Sequence, residues 1–261
     1  MSLIPESFKK RVRKSGGVLF GQQPKLHRIP FGPLKGKKIF TQFSFSPRMY
    51  FGIDEPWVAK TAQEYVQPGD VIYDIGAHIG YTCLLFAQSL QGSGSVHAFE
   101  ILPSIAEGFL RKTIEANDCT AIATIHIVGL SDTERTIELP VGATGMTSVY
   151  SRKNDTNQLE SCRLVSLDEY VLKQGLPYPS LMKIDVERSE IDCLRGGIQL
   201  IEKCSPRMII EFHNLDLLKQ GFSFMEQHGY TMYLSTGETV SRHIIDSKKH
   251  FHESVLCLPE K

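Results

Sequence analysis

The sequence has no apolar run near the roughly 18 residues of a membrane span, and its N-terminus lacks a signal-peptide core. Its 6 cysteines show no CxxC spacing, and several lie inside apolar stretches, which favours free thiols over disulfides or a zinc site. Lys+Arg and Asp+Glu number 29 each, so no overall field attracts nucleic acid. These absences predict a soluble cytoplasmic protein. Its 261 residues suit one α/β domain with extra N-terminal structure.

The most informative segment that is present is a β-rich run at residues 71–75, followed by two glycines and a helix-forming stretch. Gly76 allows a sharp turn, and Gly80 lets the helix pack closely against the strand. Asp74 disfavours a pyrophosphate at this turn, because its carboxylate would repel the phosphate charges. A ligand with a cationic sulfonium or ammonium group tolerates that carboxylate, and S-adenosylmethionine is such a ligand.

A second strand, predicted at 96–100, ends in Glu100, about twenty residues after the glycine turn. A carboxylate at that place can accept hydrogen bonds from both ribose hydroxyls. Together with Asp74, Gly76 and Gly80 it predicts one nucleoside-binding constellation. The alternatives are that Asp74 caps a helix, that Gly80 serves only helix packing, and that Glu100 is an ordinary charge at a strand end. A G-x-G-x-x-G turn is absent, which disfavours a nicotinamide-dependent oxidoreductase.

The pattern of apolar residues predicts an α/β fold in which strands alternate with helices. The predicted strands are 71–75, 96–100, 123–128, 180–185 and 207–212, followed by 230–234 and 253–258. The predicted helices are 55–66, 81–90, 104–116, 168–173, 189–204 with a break at Gly196 and Gly197, and 215–228. The last two strands are joined by a polar loop and cannot form a right-handed βαβ unit, so at least one of them should run antiparallel.

Three further segments lie outside this alternation. Residues 134–166 are predicted to form a β-excursion or a loop over the face of the sheet that binds the ligand. Residues 18–52, rich in glycine, proline and aromatics, predict a small β-containing cap with a hairpin near 38–43. The domain prediction is therefore an arm and cap at 1–53 and a ligand-binding domain at 54–261. The basic run at 9–14 is either a solvated arm or a patch for an anionic partner.

Charged side chains end two of the predicted parallel strands. Lys183, Asp185 and Glu187 lie at the C-terminal end of one strand, and Glu211 and His213 lie at that of the next. Because ligands bind beyond the carboxyl ends of parallel strands, these groups are expected to converge at the same cleft. Three roles stay open: a base for a substrate hydroxyl, supplied by His213 or Asp185; a divalent-cation site; or a structural ion network. No metal is assigned from the sequence.

At this point the sequence resembles the FkbM-type family of S-adenosylmethionine-dependent methyltransferases, over residues 54 to about 213. The matching segments are 73–80, 98–100, Asn117, 128–132, 166–168, 182–187, Glu190 and 210–211. The resemblance implies a Rossmann-like, seven-stranded class I methyltransferase sheet, mostly parallel with an antiparallel last strand. It also implies O-methylation of a hydroxyl on a sugar, a polyketide or another secondary metabolite.

The resemblance also assigns roles to residues. Asp74, Gly76 and Gly80 are expected at the methionine end of the cofactor, Glu100 at the ribose, and Leu130 and Ser131 beside the adenine. Glu55 is expected near the amino group, and Ala77, His78, Ile101 and Asp185 complete the cofactor set. The expected catalytic residues are Asp185, Lys183, His213 and Glu211. The expected partner is a small-molecule hydroxyl acceptor rather than nucleic acid, and a homo-oligomer is compatible with the sequence.

Two positions depart from the family pattern. Arg188 follows Val186-Glu187 where a glycine is usual, and Ile101 replaces a common proline. A glycine at position 188 suggests a positive φ or a close backbone approach, and an arginine must avoid both or be strained. Arg188 can instead reach an acidic group on the substrate. The rival to an enzyme is a binding protein on a degenerate methyltransferase scaffold.

Overall fold

The computed structural model describes residues 23–43, 46–141 and 158–260. The basic run at 9–14 lies outside these ranges, as do the first part of the predicted cap and the middle of the predicted excursion. Within these ranges no helix is long and apolar enough to cross a membrane.

The chain alternates between strands and helices, as the apolar pattern predicts. The strands are β1 Lys25–Arg28, β2 Lys38–Thr41, β3 Val71–Ile75, β4 Ser95–Glu100, β5 Ala123–Ile127, β6 Gly129–Ser131, β7 Arg135–Pro140, β8 Leu159–Ser166, β9 Leu181–Ile184, β10 Arg207–Phe212, β11 Tyr230–Tyr233 and β12 Glu253–Pro259. The helices are α1 Pro47–Phe51, α2 Pro56–Tyr65, α3 Tyr81–Ser89, α4 Pro103–Ile105, a π-helical turn Ala106–Leu110, α5 Arg111–Ala116, α6 Leu167–Gln174, α7 Glu190–Arg195, α8 Ile198–Cys204, α9 Leu215–Gln227 and α10 Arg242–Ser247.

Seven strands form the main sheet in the order β11-β12-β10-β9-β3-β4-β5. The pairs β10–β9, β9–β3, β3–β4 and β4–β5 are parallel, whereas β12 is antiparallel to both of its neighbours. The predicted strands are confirmed to within one residue, and so is the antiparallel terminal strand. The strand order reverses between β3 and β9, and a ligand in an open α/β sheet binds at such a point.

The predicted break in the helix at 189–204 is confirmed, and its cause is a close backbone contact. A Cβ at Gly196 would lie 1.8 Å from the carbonyl oxygen of Ser131, so only glycine lets the chain pass there. The carboxylate of Asp168 accepts hydrogen bonds from the backbone N–H groups of Gln199 and Leu200, in the first turn of α8. Gly196 therefore holds the helix pair against β6.

The predicted excursion at 134–166 supplies β7 and β8, which form a second sheet with the preceding β6 in the order β6-β8-β7. β6 is parallel to β8, and β7 is antiparallel to it. β6 follows β5 almost directly, so this second sheet begins at the carboxyl ends of the main strands, where the ligand is expected. Leu130, the middle residue of β6, is thereby brought to that edge.

The N-terminal segment is tied to the main layer. β1 and β2 form the predicted antiparallel hairpin. The backbone N–H of Lys38 donates to Asn117 Oδ1 at 2.9 Å, and that of Phe40 to Thr113 Oγ1 at 3.0 Å. Since both acceptors belong to α5 or its C-cap, the hairpin packs on a helix of the larger unit. The boundary at residue 53 stays a prediction.

Two short helices lie where none is predicted. Ser46 caps α1 by accepting a hydrogen bond from Met49 N–H. α10 lies in the segment predicted as a polar loop between the last two strands, and that prediction is wrong. Ser241 caps α10 in the same way, and Ile245 is buried beneath it. Each helix is only one to two turns long, so its apolar pattern is too brief to read.

Candidate active site

A cavity of about 680 Å³ opens at the carboxyl ends of the central strands, within the usual size range of small-molecule sites. The glycine turn after β3 and the end of β4 line one part of it, and the ends of β9 and β10 line another. Ser46, Met49, Asp54 and Glu55 close a side from the N-terminal segment. Most residues expected at the site meet here: Glu55, Gly76, Ala77, His78, Glu100, Ile101, Leu130, Lys183, Asp185, Glu211 and His213.

The glycine turn joins the ends of three strands. Gly76 has a φ of +82°, and a Cβ on it would lie 1.8 Å from the carbonyl oxygen of Asp185. The N–H groups of Gly76 and Ala77 both donate to the carbonyl oxygen of Phe99, at 2.9 and 3.0 Å. A side chain at position 76 would therefore separate β3 from the end of β9.

Glu100 is the carboxylate at the end of β4, and it is buried. Its Oε2 accepts from the N–H of His78 at 2.9 Å, and its Oε1 accepts from the N–H of Leu102 at 2.9 Å. Burial raises the pKa of Glu100 to about 7, and the backbone donors oppose that rise only in part. A carboxylate oxygen has room for a second donor, so Glu100 can also bind hydroxyl groups of a ligand.

Asp74 does not reach the cavity wall, which corrects the expectation that it faces the ligand. Its side chain is fully buried, and its Oδ2 accepts from Thr82 Oγ1 at 2.8 Å and Cys83 Sγ at 2.9 Å. Its Oδ1 lies 4.0 Å from Lys183 Nζ. Asp74 thus lies behind the cavity wall, and it contacts the site through Lys183.

Gly80 and Ser131 also lie behind the wall rather than on it. A Cβ at Gly80 would lie 2.8 Å from Leu110 Cδ1, so this glycine serves helix packing, the alternative reading of the sequence. Ser131 is buried, and its hydroxyl donates to Asp132 Oδ1 at 3.2 Å. Of the pair expected beside the adenine, Leu130 alone lines the cavity.

Lys183 and Asp185 form an ion pair on the floor of the cavity. Lys183 Nζ donates to Asp185 Oδ2 at 3.1 Å, and its side chain is 4% exposed. Burial disfavours the charged ammonium, but Asp185 and Asp74 outweigh it and hold the pKa of Lys183 above its ordinary value. Burial likewise opposes ionisation of Asp185, yet Lys183 and His213 lower its pKa. Both side chains are therefore charged at neutral pH.

His213 lies among three carboxylates. Its Nδ1 is 2.7 Å from Glu190 Oε1, and its Nε2 is 3.2 Å from Glu187 Oε2 and 3.6 Å from Asp185 Oδ1. Burial opposes protonation, but these carboxylates raise the pKa of His213 to about 9. A protonated imidazole cannot take up a proton, so this charge state argues against His213 as the base.

Two further carboxylates at this end of the cavity have raised pKa values. Burial is the largest cause of both, and it raises the pKa of Glu187 to about 7 and that of Glu211 to about 8. Glu211 Oε1 lies 2.8 Å from His252 Nε2. Two overlapping groups of donors could hold a metal ion: Asp185, Glu187 and His213, or Glu211, His213 and His252.

The backbone after β9 is strained. Glu187 has a φ of +48° and Arg188 a φ of +80°, so position 188 adopts the conformation that the usual glycine would favour. Arg188 is exposed and lines the rim of the cavity. The backbone of Arg188 is therefore strained, which is one of the two outcomes expected from the sequence. Glu55, at the start of α2, also has a left-handed backbone conformation, with a φ of +45°.

Three residues of this cluster, Glu187, Glu190 and His252, are given no role by the sequence. Glu187 is named there only as a member of the charged group, and Glu190 only as part of the resemblance. Glu190 is the first residue of α7, after the left-handed turn at Glu187 and Arg188, and its Oε1 lies 2.7 Å from His213 Nδ1. His252 precedes β12, and the start of an antiparallel strand lies at the edge where parallel strands end.

Known proteins resemble this chain. It matches the methyltransferase FkbM domain over residues 74–232. It is 27% identical over 195 residues to 31-O-demethyl-FK506 methyltransferase FkbM of Streptomyces tacrolimicus, covering 64% of this chain and 75% of that protein. It is 26% identical over 160 residues to hexuronic acid methyltransferase AglP of Haloferax volcanii, covering 60% and 61%.

Among solved structures, the chain resembles methyltransferase FkbM from Methylobacillus flagellatus KT with a TM-score of 0.50 and 16% identity. The superposition covers 74% of this chain and 44% of that one. At this identity the likeness concerns the fold alone, which agrees with the seven-stranded sheet.

Proposed function

The chain belongs to the methyltransferase FkbM family, whose methyl donor is S-adenosylmethionine, and on that premise we propose that it methylates a hydroxyl oxygen. The acceptor is a small molecule such as a sugar, a polyketide or another secondary metabolite. The names of the two relatives support O-methylation, since one acts on 31-O-demethyl-FK506 and the other on a hexuronic acid.

One observation carries the proposal: a single cavity joins a nucleoside-type end to a charged end. Glu100 lies at the first, and Asp185 and His213 lie at the second. Methyl transfer needs such a space, because the acceptor oxygen must meet the methyl group in line and without water between them. Orientation of this kind supplies roughly 7–11 kcal/mol in favourable cases.

The side chains around the cavity suit S-adenosylmethionine. Glu100 would hold the ribose, and the apolar side chains of Phe99, Val128 and Leu130 would enclose the adenine. When bound, the cofactor supplies a methyl group activated by a positively charged sulfur. Glu55 and Asp185 place negative charge near that end, which suits a cation and would repel a diphosphate. This donor set supports the methyl donor over a dinucleotide.

At the charged end the chain's own groups would hold the acceptor. Asp185 is kept ionised by Lys183, so its carboxylate can accept a hydrogen bond from the acceptor hydroxyl and orient the oxygen. General-base assistance adds about 10²–10⁴-fold for a poorly acidic hydroxyl. Positioning is therefore the larger contribution, and removal of the proton the smaller.

The test is turnover of the purified full chain with S-adenosylmethionine and a panel of sugars, uronic acids and polyhydroxylated metabolites. Formation of S-adenosylhomocysteine together with a new O-methyl signal, from a ¹³C-labelled methyl group, is the expected result. Calorimetry with S-adenosylmethionine and with NAD runs beside it. Tight NAD binding, or methyl transfer to nitrogen or carbon, would contradict the proposal. Cofactor binding without turnover on any acceptor would favour a binding protein.

A further inference from the structure

We propose that the charged end of the cavity holds one divalent transition-metal ion, bound by Asp185, Glu187 and His213. The ion would hold the acceptor hydroxyl, so the inference rests on the proposed function and assigns a ligand to the same site.

The spacing of the donor atoms fits a shared ion. His213 Nε2 lies 3.2 Å from Glu187 Oε2 and 3.6 Å from Asp185 Oδ1. Atoms that bind one ion at about 2.0–2.2 Å, at tetrahedral or octahedral angles, lie roughly 3.0–3.5 Å apart. The donor atoms therefore need to move only slightly closer together to bind one ion. Donor atoms of all three residues lie within 4.8 Å of one another.

Each donor is held from behind by another residue. Glu190, which is fully buried, binds His213 Nδ1 at 2.7 Å and leaves Nε2 toward the cavity carboxylates. Lys183 binds Asp185 through Oδ2, so Oδ1 remains on the side of His213. A carboxylate on the outer nitrogen of an imidazole is the usual support of a metal-bound histidine. Glu190 also accepts from Arg188 N–H at 2.9 Å, which fixes its own position.

The hydrogen bonds of His213 argue against a purely structural ion network. Its Nδ1 makes a short hydrogen bond to Glu190. Its Nε2, in contrast, makes no aligned hydrogen bond to Glu187 or Asp185 in the described part of the chain, although both are near. A network built to bind an imidazolium would direct the second N–H at one carboxylate, at about 2.7–2.9 Å. An ion between these atoms explains both distances.

Ser189 supplies an independent sign of a missing polar ligand. It lines the same cavity and is 4% exposed, and its hydroxyl has no hydrogen-bond partner within the described residues. Buried hydroxyls are normally satisfied. A water or an acceptor hydroxyl on the ion would provide a partner after a small local movement. Imidazole with carboxylates suits Mn²⁺, Fe²⁺ or Zn²⁺ better than Mg²⁺ or Ca²⁺, which prefer oxygen donors.

The test is calorimetric titration of the full chain, stripped of metal, with Mn²⁺ and separately with Zn²⁺. We expect one ion per chain for at least one of them. Glu187→Gln should lose binding by more than tenfold, and Glu190→Gln by about 10- to 100-fold, since it removes the support of His213. Glu202→Gln, at an exposed glutamate near His228, is the matched control and should bind as the wild type does.

Three results would overturn the inference. They are absence of binding for both ions, equal binding by wild type and Glu187→Gln, or loss in Glu211→Gln with retention in Glu187→Gln. The last result would assign the ion to Glu211 and His252 instead. Thermal unfolding of each variant shows whether it is folded. Binding of S-adenosylhomocysteine, measured on the same samples, tests the proposed function separately, because it does not require the ion.

Discussion

Acid should weaken binding of the cofactor through Glu100. Burial raises the pKa of Glu100 to about 7, far above the ordinary value of 4.5. Ribose hydroxyls donate hydrogen bonds, so they bind the ionised carboxylate more strongly than the protonated one. Affinity should therefore be constant above pH 8 and fall as the pH drops through 7.

The size of the effect follows from that pKa. At pH 5 about one hundredth of the free protein carries an ionised Glu100, so the dissociation constant rises by up to about 100-fold. One pKa unit corresponds to about 1.36 kcal/mol, and the loss is therefore up to about 2.7 kcal/mol. Because the ligand favours the ionised form, its binding near pH 7 should also release protons to the buffer.

The assay is calorimetry with S-adenosylhomocysteine from pH 5 to 8, for the wild type and Glu100→Gln. The amide cannot ionise, so the variant should bind about 10- to 100-fold more weakly at pH 8 and show a much flatter profile. Glutamine is chosen over alanine because it keeps one acceptor oxygen for the N–H groups of His78 and Leu102, whereas alanine would leave both without an acceptor. Glu115→Gln, at an exposed position of α5, is the control.

Glu187 and Glu211, with pKa values of about 7 and about 8, also titrate in this range, but they are common to all three proteins. The difference between wild type and Glu100→Gln isolates the carboxylate at the end of β4. An identical pH slope in the two proteins would refute the role given to Glu100.

Four other substitutions separate local structure from function. Asp185→Asn should lower kcat far more than it weakens S-adenosylhomocysteine binding, and equal losses would contradict its place at the acceptor. Gly76→Ala should lower the free energy of unfolding in urea by more than about 2 kcal/mol, since it combines a left-handed φ with a backbone clash. Gly36→Ala, left-handed with open space around it, should cost only about 1 kcal/mol. Arg188→Gly should raise the midpoint of thermal unfolding by relieving a φ of +80°, and a lower midpoint would show that the arginine side chain stabilises the fold.

The sheet could be predicted from the sequence because its signals are local. Each central strand is a short apolar run bounded by polar or turn residues, so β3 and β10 were predicted to the residue. That one of the last two strands runs antiparallel is predicted from the polar loop between them, which does not form a right-handed βαβ unit. Helices α1 and α10 could not be predicted, since one or two turns carry too few apolar positions for a period to appear.

The site could be predicted only where strand ends decide it. Glu100, Asp185 and His213 each lie at or directly after the end of a predicted strand, and the sheet topology brings them to one cavity. Asp74 was misplaced, because its partner Lys183 lies on a strand 109 residues later in the chain, and nothing local reveals that pairing. The glycine that is usual at position 188 suggests a left-handed backbone there. Only the structure shows that Arg188 adopts this conformation.

A crystal structure of the chain with S-adenosylhomocysteine is the most direct test of the account. We expect the ribose hydroxyls on the carboxylate of Glu100 and the sulfur directed toward Asp185, with space for an acceptor beside His213. Adenosine bound elsewhere, or a sulfur directed away from Asp185, would contradict the claim that one cavity joins the methyl donor to its acceptor.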